Sequence, residues 1–198
     1  MKYSKLFLLY ICLLFSITGF AQKKQLQIVR DQIKAGKELT KAENTLRGLL
    51  ADSTNRKNSK IRLLLCDALT KQYNQGNEKL YLKQKYDTAA FFSLTRKLYE
   101  TMSSFDSLDA KSDADGKVHA KYRTKHATFL NSIRPNLFNG GSYFVHKNDY
   151  KTAFDYYSDY LMSAKYPLFE GYDYMQHDAL IPHAAYWAMF CGYKLGDA

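Results

Sequence analysis

Cysteine, proline and tryptophan are scarce in this chain: three, three and one in 198 residues. One cysteine, Cys12, falls in the first 21 residues, so at most one disulfide, Cys66 to Cys191, is open to the remainder. Both of these sit inside apolar helical runs, where a free thiol packs as a small hydrophobe. Catalytic motifs are absent as well. The five histidines make no H-E-x-x-H, the cysteines make no C-x-x-C, and no phosphate-binding glycine loop occurs. His177-Asp178 with His183 is the nearest approach to a metal cluster, and it lacks a third ligand. Gly140-Gly141-Ser142 lacks the strand before it and the second glycine after the serine that a nucleophile elbow needs. The expectation is therefore a chain that is not an enzyme, with no catalytic residues, no metal and no cofactor. After residue 21 no run approaches eighteen apolar residues, which predicts no membrane span in the mature chain.

What is present begins with a basic head, Lys2 and Lys5, an apolar run from Leu6 to Phe15, and the small-residue end Gly19-Phe20-Ala21. That order predicts a secretory signal peptide over 1–21, cleaved after Ala21, and an exported protein of a bacterial periplasm or cell surface. The remaining 177 residues suffice for one domain or a few stacked helix pairs. Charge is lopsided: residues 22–134 hold 23 Lys and Arg against 12 Asp and Glu, while residues 135–198 hold 4 against 7. The cations are scattered singly along helical segments, which reads as a solvated face rather than a nucleic-acid surface.

Helical periodicity runs through the chain. Leu26, Val29 and Ile33 make a stripe that stops near Gly36, and Leu39, Ala42, Leu46, Leu49 and Leu50 make the next. Ile61 to Tyr73, continuing towards Gln84, is followed by Ala89, Phe91, Leu94, Leu98 and Met102. Residues 103–117 are the most polar and least periodic, and predict an exposed connection. A helix resumes through Val118, Tyr122, Phe129, Leu130 and Ile133, and Pro135 must kink or restart it because proline lacks the backbone donor. Leu137 to His146 and Tyr150 to Leu161 follow, the second with Tyr150, Ala153, Phe154, Tyr157 and Leu161 on one face. Ile181 to Leu195 is the last stripe.

Leu137, Gly141 and Phe144, then Ala153 and Tyr157, follow the spacing W-x2-L-G-x2-Y and A-x3-F, so this stretch resembles a tetratricopeptide helix hairpin. Leu39/Ala42/Leu46, Tyr86/Ala89 and Tyr150/Ala153/Tyr157 fall at equivalent second-helix positions, spaced 47 and 64 apart, which predicts a unit near 47 with one insertion. The resemblance implies an all-α, right-handed α-α superhelix with no β-sheet, built of hairpins near 23–51, 58–102, 118–162 and an incomplete 181–198, with 103–117 as connection. It also implies a scaffold that binds a protein or peptide partner through concave hairpin faces. Because Ile181 to Leu195 has no second helix and Trp187, Met189 and Phe190 make no polar cap, the chain is expected to belong to a longer array.

Ten Tyr, five Phe and one Trp fall among residues 135–198. The helix faces absorb most of them. Tyr166 to Met175 remains, aromatic but aperiodic, either folded back over a hairpin end or presenting Tyr166, Phe169, Tyr172 and Tyr174 to a partner. A second function, binding of an envelope polysaccharide, would use those rings or Trp187 for stacking. A third is the exported sensor portion of a longer signalling protein.

Overall fold

The computed structural model describes residues 22–112 and 118–196. The expected signal peptide, residues 113–117 of the expected connection, and Asp197-Ala198 lie outside these. The fold is all-α. Two compact units divide it, one ending at Lys71 and the other beginning at Gln72.

In the first unit, α1 spans 22–35 and α2 spans Leu39–Ala51. Gly36, at φ 66°, supplies the left-handed residue that ends α1. Val29, Leu39, Ala42 and Leu46 are buried, with Ile61, Leu65, Cys66 and Leu69 from the first half of α3 (Ser59–Tyr81). Glu43 is buried among them, and the Nε of Arg47, one helical turn on, donates to its carboxylate at 2.9 Å. Asn58 starts α3 by accepting from the backbone N–H of Lys60 at 3.1 Å.

In the second unit, Asp87 caps α4 (Thr88–Asp109) by accepting from the N–H of Ala90. The apolar stripe of α4 does not stop at Met102. Leu98, Met102 and Phe105 continue at i, i+4 and i+7, Phe105 is 1% exposed, and the helix runs to Asp109. The expected exposed connection is thus helical over its first seven residues, because one phenylalanine and a carboxylate, Asp106, turn inward. Asp106 takes both forks of the Arg123 guanidinium at 2.9 and 2.8 Å. Beyond it lies a two-residue antiparallel ladder, Lys111 opposite His119 and Ser112 opposite Val118. This pairing is a local departure from the expected absence of sheet, and it is too short to form a layer. It also takes Val118 out of the expected helix, which begins instead at Arg123.

α5 (Arg123–Ile133) and α6 (Pro135–His146) meet at Arg134, which keeps helical angles while Pro135 occupies the first helical position of α6. α6 and α7 (Tyr150–Ser163) form the hairpin expected there, with Asn148 in the left-handed conformation, φ 58°, at the turn. Tyr156 lies over Gly140 and Tyr157 over Gly141; a Cβ at either glycine would come within 2.6 Å of the ring above it. The buried face of α7 is broader than the expected stripe. Tyr156, Tyr160 and Ser163 join Ala153 and Tyr157, because α7 packs against α6 on one side and α9 (Ile181–Leu195) on the other. Between α7 and α9 come a 3₁₀ turn, Pro167–Phe169, and a single helical turn, α8 (Tyr174–His177).

The alanine expected at each helix contact is fully buried in α2 and α7, as Ala42 and Ala153. Ala89 of α4 is only half-buried, since Tyr86 seats on Gly76 and Ala89 faces a groove. Cys66 and Cys191 are both buried, and no disulfide joins them. No helix among the described residues is long and apolar enough to cross a membrane.

Candidate functional site

A groove of about 850 Å³ runs between α4 and α7. Ala89, Ser93, Arg96 and Glu100 fall at i, i+4, i+7 and i+11, so one face of α4 forms its first wall. Thr152, Tyr156 and Asp159, one face of α7, form the second, and Phe144 and Tyr166 also line it. Across the groove the Nε of Arg96 donates to the Asp159 carboxylate, while the guanidinium lies over the Tyr156 ring with Cζ 4.9 Å from its centroid. Both charged side chains remain about one-third exposed, so the pair is open to a competing ligand. Burial raises the carboxyl of Asp159 above its usual range, against the opposing pull of Arg96. Burial likewise pushes the Tyr156 hydroxyl up, which keeps it a neutral donor.

The groove therefore offers ring faces, hydroxyls and charges of both signs. No histidine or cysteine lines it. Among the described residues no group of three His, Cys, Asp or Glu is placed to hold a metal ion.

The four loop residues expected to meet a partner are not brought to one surface. Tyr166 lines the groove, half-buried, and burial raises its hydroxyl pKa. Phe169 is 3% exposed, with its centroid 6.1 Å from Tyr99 of α4 and 5.3 Å from Tyr174. It serves the core, because the 3₁₀ turn carries Leu168 and Phe169 down against α5 and α4. Tyr172 packs edge-on to Phe169 and is half-buried. Tyr174 donates its hydroxyl to Asn131 of α5 at 2.6 Å, and burial pushes its pKa to about 12. Trp187 stacks on Tyr157 at 6.3 Å and is half-buried. The loop is folded back over the hairpin.

Arg134 holds it there. The guanidinium is sandwiched between the rings of Tyr160 and Tyr174, with Cζ 3.8 and 4.0 Å from their centroids, and it donates to Ser163 Oγ and the Tyr160 carbonyl at 3.1 Å each. It is paired with Asp178, which also accepts from the Tyr160 hydroxyl at 2.6 Å. Burial alone would raise the Asp178 carboxyl, but the bonds from Tyr160 and Arg134 outweigh it and hold the pKa below 3.8. The sequence gives no periodic signal for this cluster: its members are 44 residues apart at the ends, and Arg134 occupies a helix junction.

Comparison with protein-family models, with curated proteins and with solved structures finds no match.

Proposed function

We propose that this chain is an exported, tetratricopeptide-like scaffold that holds a segment of a protein or peptide in the groove between α4 and α7. The observation that carries the reading is the lining of that groove. Two helix faces present the Tyr156 and Tyr166 rings, the Ser93 and Thr152 hydroxyls and the half-open Arg96–Asp159 pair. These groups suit a peptide backbone and mixed side chains, and they include no nucleophile with an adjacent base. The Gly141/Tyr157 contact within an α6–α7 hairpin supports the tetratricopeptide likeness. The basic head and apolar run of residues 2–15 support export.

A photo-crosslinking residue in place of Ser93 tests the groove in cells. The expected result is a saturable adduct with one protein partner, reduced at least tenfold by Arg96→Glu or Tyr166→Ala, with unfolding of both variants unchanged. An adduct indifferent to both substitutions, or none at all, rejects the reading. Export is tested separately: mass spectrometry of the natural product from the envelope fraction should find an N-terminus at Gln22.

A further inference from the structure

The turn between α3 and α4 gathers cations that the rest of the surface scatters. Residues 79–86 read Lys-Leu-Tyr-Leu-Lys-Gln-Lys-Tyr, three lysines among leucines and tyrosines with no carboxylate. Tyr81 is 84% exposed and Leu82 54%, and Lys79, Lys83 and Lys85 are exposed around them. Lys79 lies over the Tyr86 ring, with Nζ 5.7 Å from its centroid. Lys147, in the α6–α7 turn, stands over Tyr143 in the same way, also at 5.7 Å, and Tyr143 packs on Phe92 near the start of α4. The two turns therefore lie at one end of the second unit. The carboxylates nearest in sequence are Glu78, Asp87 and Asp149, and the last two are taken up in starting α4 and α7.

Lys83 is held in the left-handed conformation, φ 55°. It ends α3: its N–H donates to the Leu80 carbonyl at 3.0 Å, and the Gln84 N–H reaches back to the Lys79 carbonyl at 2.8 Å. A helix that ends in this way favours glycine at the left-handed position, as Gly36 supplies for α1 and Gly196 for α9. A lysine there is strained where glycine is not, so the helix end gains nothing from it. What the residue adds is a positive charge at the tip of the turn.

We propose that this turn docks on an anionic lipid bilayer, with Tyr81 and Leu82 entering the headgroup boundary and Lys79, Lys83 and Lys85 resting on the lipid phosphates. Two features choose this partner. The lysines require a surface dense in anionic groups, and each contributes about fivefold to partitioning onto one, about a hundredfold for the three. Tyr81 and Leu82 require an apolar phase directly beneath those groups, where a leucine is buried and a tyrosine ring sits at headgroup level. A nucleic acid or an anionic polysaccharide supplies the charges without that phase. The contact is peripheral and reversible, since one turn carries it.

Co-sedimentation with vesicles tests this, using the chain from Gln22 onward, which holds every described helix. Vesicles of mixed phosphatidylglycerol and phosphatidylcholine should bind it about a hundredfold more tightly than phosphatidylcholine alone. Lys83→Gln with Lys85→Gln should lose about 25-fold, and Tyr81→Ser with Leu82→Ser about tenfold, with circular dichroism unchanged in both. Lys83→Gly should lose about fivefold and yet raise the urea midpoint, a pairing that a purely structural lysine would not give. No binding, or equal binding to the two kinds of vesicle, overturns the proposal. So does full binding by the Tyr81 and Leu82 variant, the result if the lysines meet a polyanion rather than a bilayer.

Discussion

Gly141→Ala tests the helix contact on which the second unit is built. The new Cβ would lie 2.6 Å from Cζ of Tyr157, well inside contact distance, and Tyr157 is fully buried, so the ring has no free direction in which to retreat. Forcing an added methyl group into a packed core costs about 1–3 kcal/mol. Replacing a mid-helix glycine by alanine returns about 0.5–1 kcal/mol. The overpacking term is the larger, for a net loss of up to about 2.5 kcal/mol and about 1 kcal/mol at mid-range. Gly192→Ala is the matched control, because its Cβ meets only Phe154 at an ordinary 3.8 Å; it should keep the helix gain, about 0.5–1 kcal/mol. Trp187, the only tryptophan, stacks on Tyr157 and reports the region directly in urea unfolding followed by fluorescence. Tyr157→Leu placed with Gly141→Ala should recover part of the loss, since it removes the ring that clashes. If Gly141→Ala proves as stable as Gly192→Ala, the close approach of α6 and α7 is not what fixes their packing, and the reasoning fails.

Two further expectations concern buried charge. Arg134→Met leaves Asp178 without its cation and should cost about 3–5 kcal/mol, the range for breaking a buried pair; limited proteolysis should then cut between Tyr166 and Asp178. Because Asp178 has a lowered pKa, its contribution is fully present above 3.8 and drains away as the pH falls through its folded value, an acid transition that Asp178→Asn should remove. His126 is the opposite case. Its ring is buried between Phe105 and Tyr122, Nδ1 has no partner, and burial first and Lys125 second lower its pKa from 6.5. A histidine held neutral makes stability fall as the pH drops below about 6.5 and level off below the folded pKa. Thermal melts at pH 7.5 and pH 5 should show that loss in the parent and not in His126→Phe.

Periodicity located the helices well where an apolar stripe was unbroken. Leu137 to His146 and Ile181 to Leu195 match α6 and α9 at nearly every residue. It failed at residues 103–109, where Phe105 and Leu108 are the only apolar residues among serines and aspartates, and two side chains in seven give too little period to read. It also failed for Tyr156 and Tyr160. A stripe assumes one neighbour, and α7 packs against α6, α9 and α4. Of the groove, Tyr166 was legible as a surplus aromatic, but Arg96 and Asp159 were not, since 63 residues separate them and each looks alone like part of a solvated face.

The sequence by itself determined most of the helices and the spacing that sets Gly141 in the α6–α7 hairpin, because these depend on residues within a few turns of one another. Only the tertiary structure decided that the Tyr166 to Met175 loop folds down on Arg134 and that α4 and α7 share a groove. Both outcomes rest on contacts between distant residues, whose energies of burial and pairing exist only after the helices have packed.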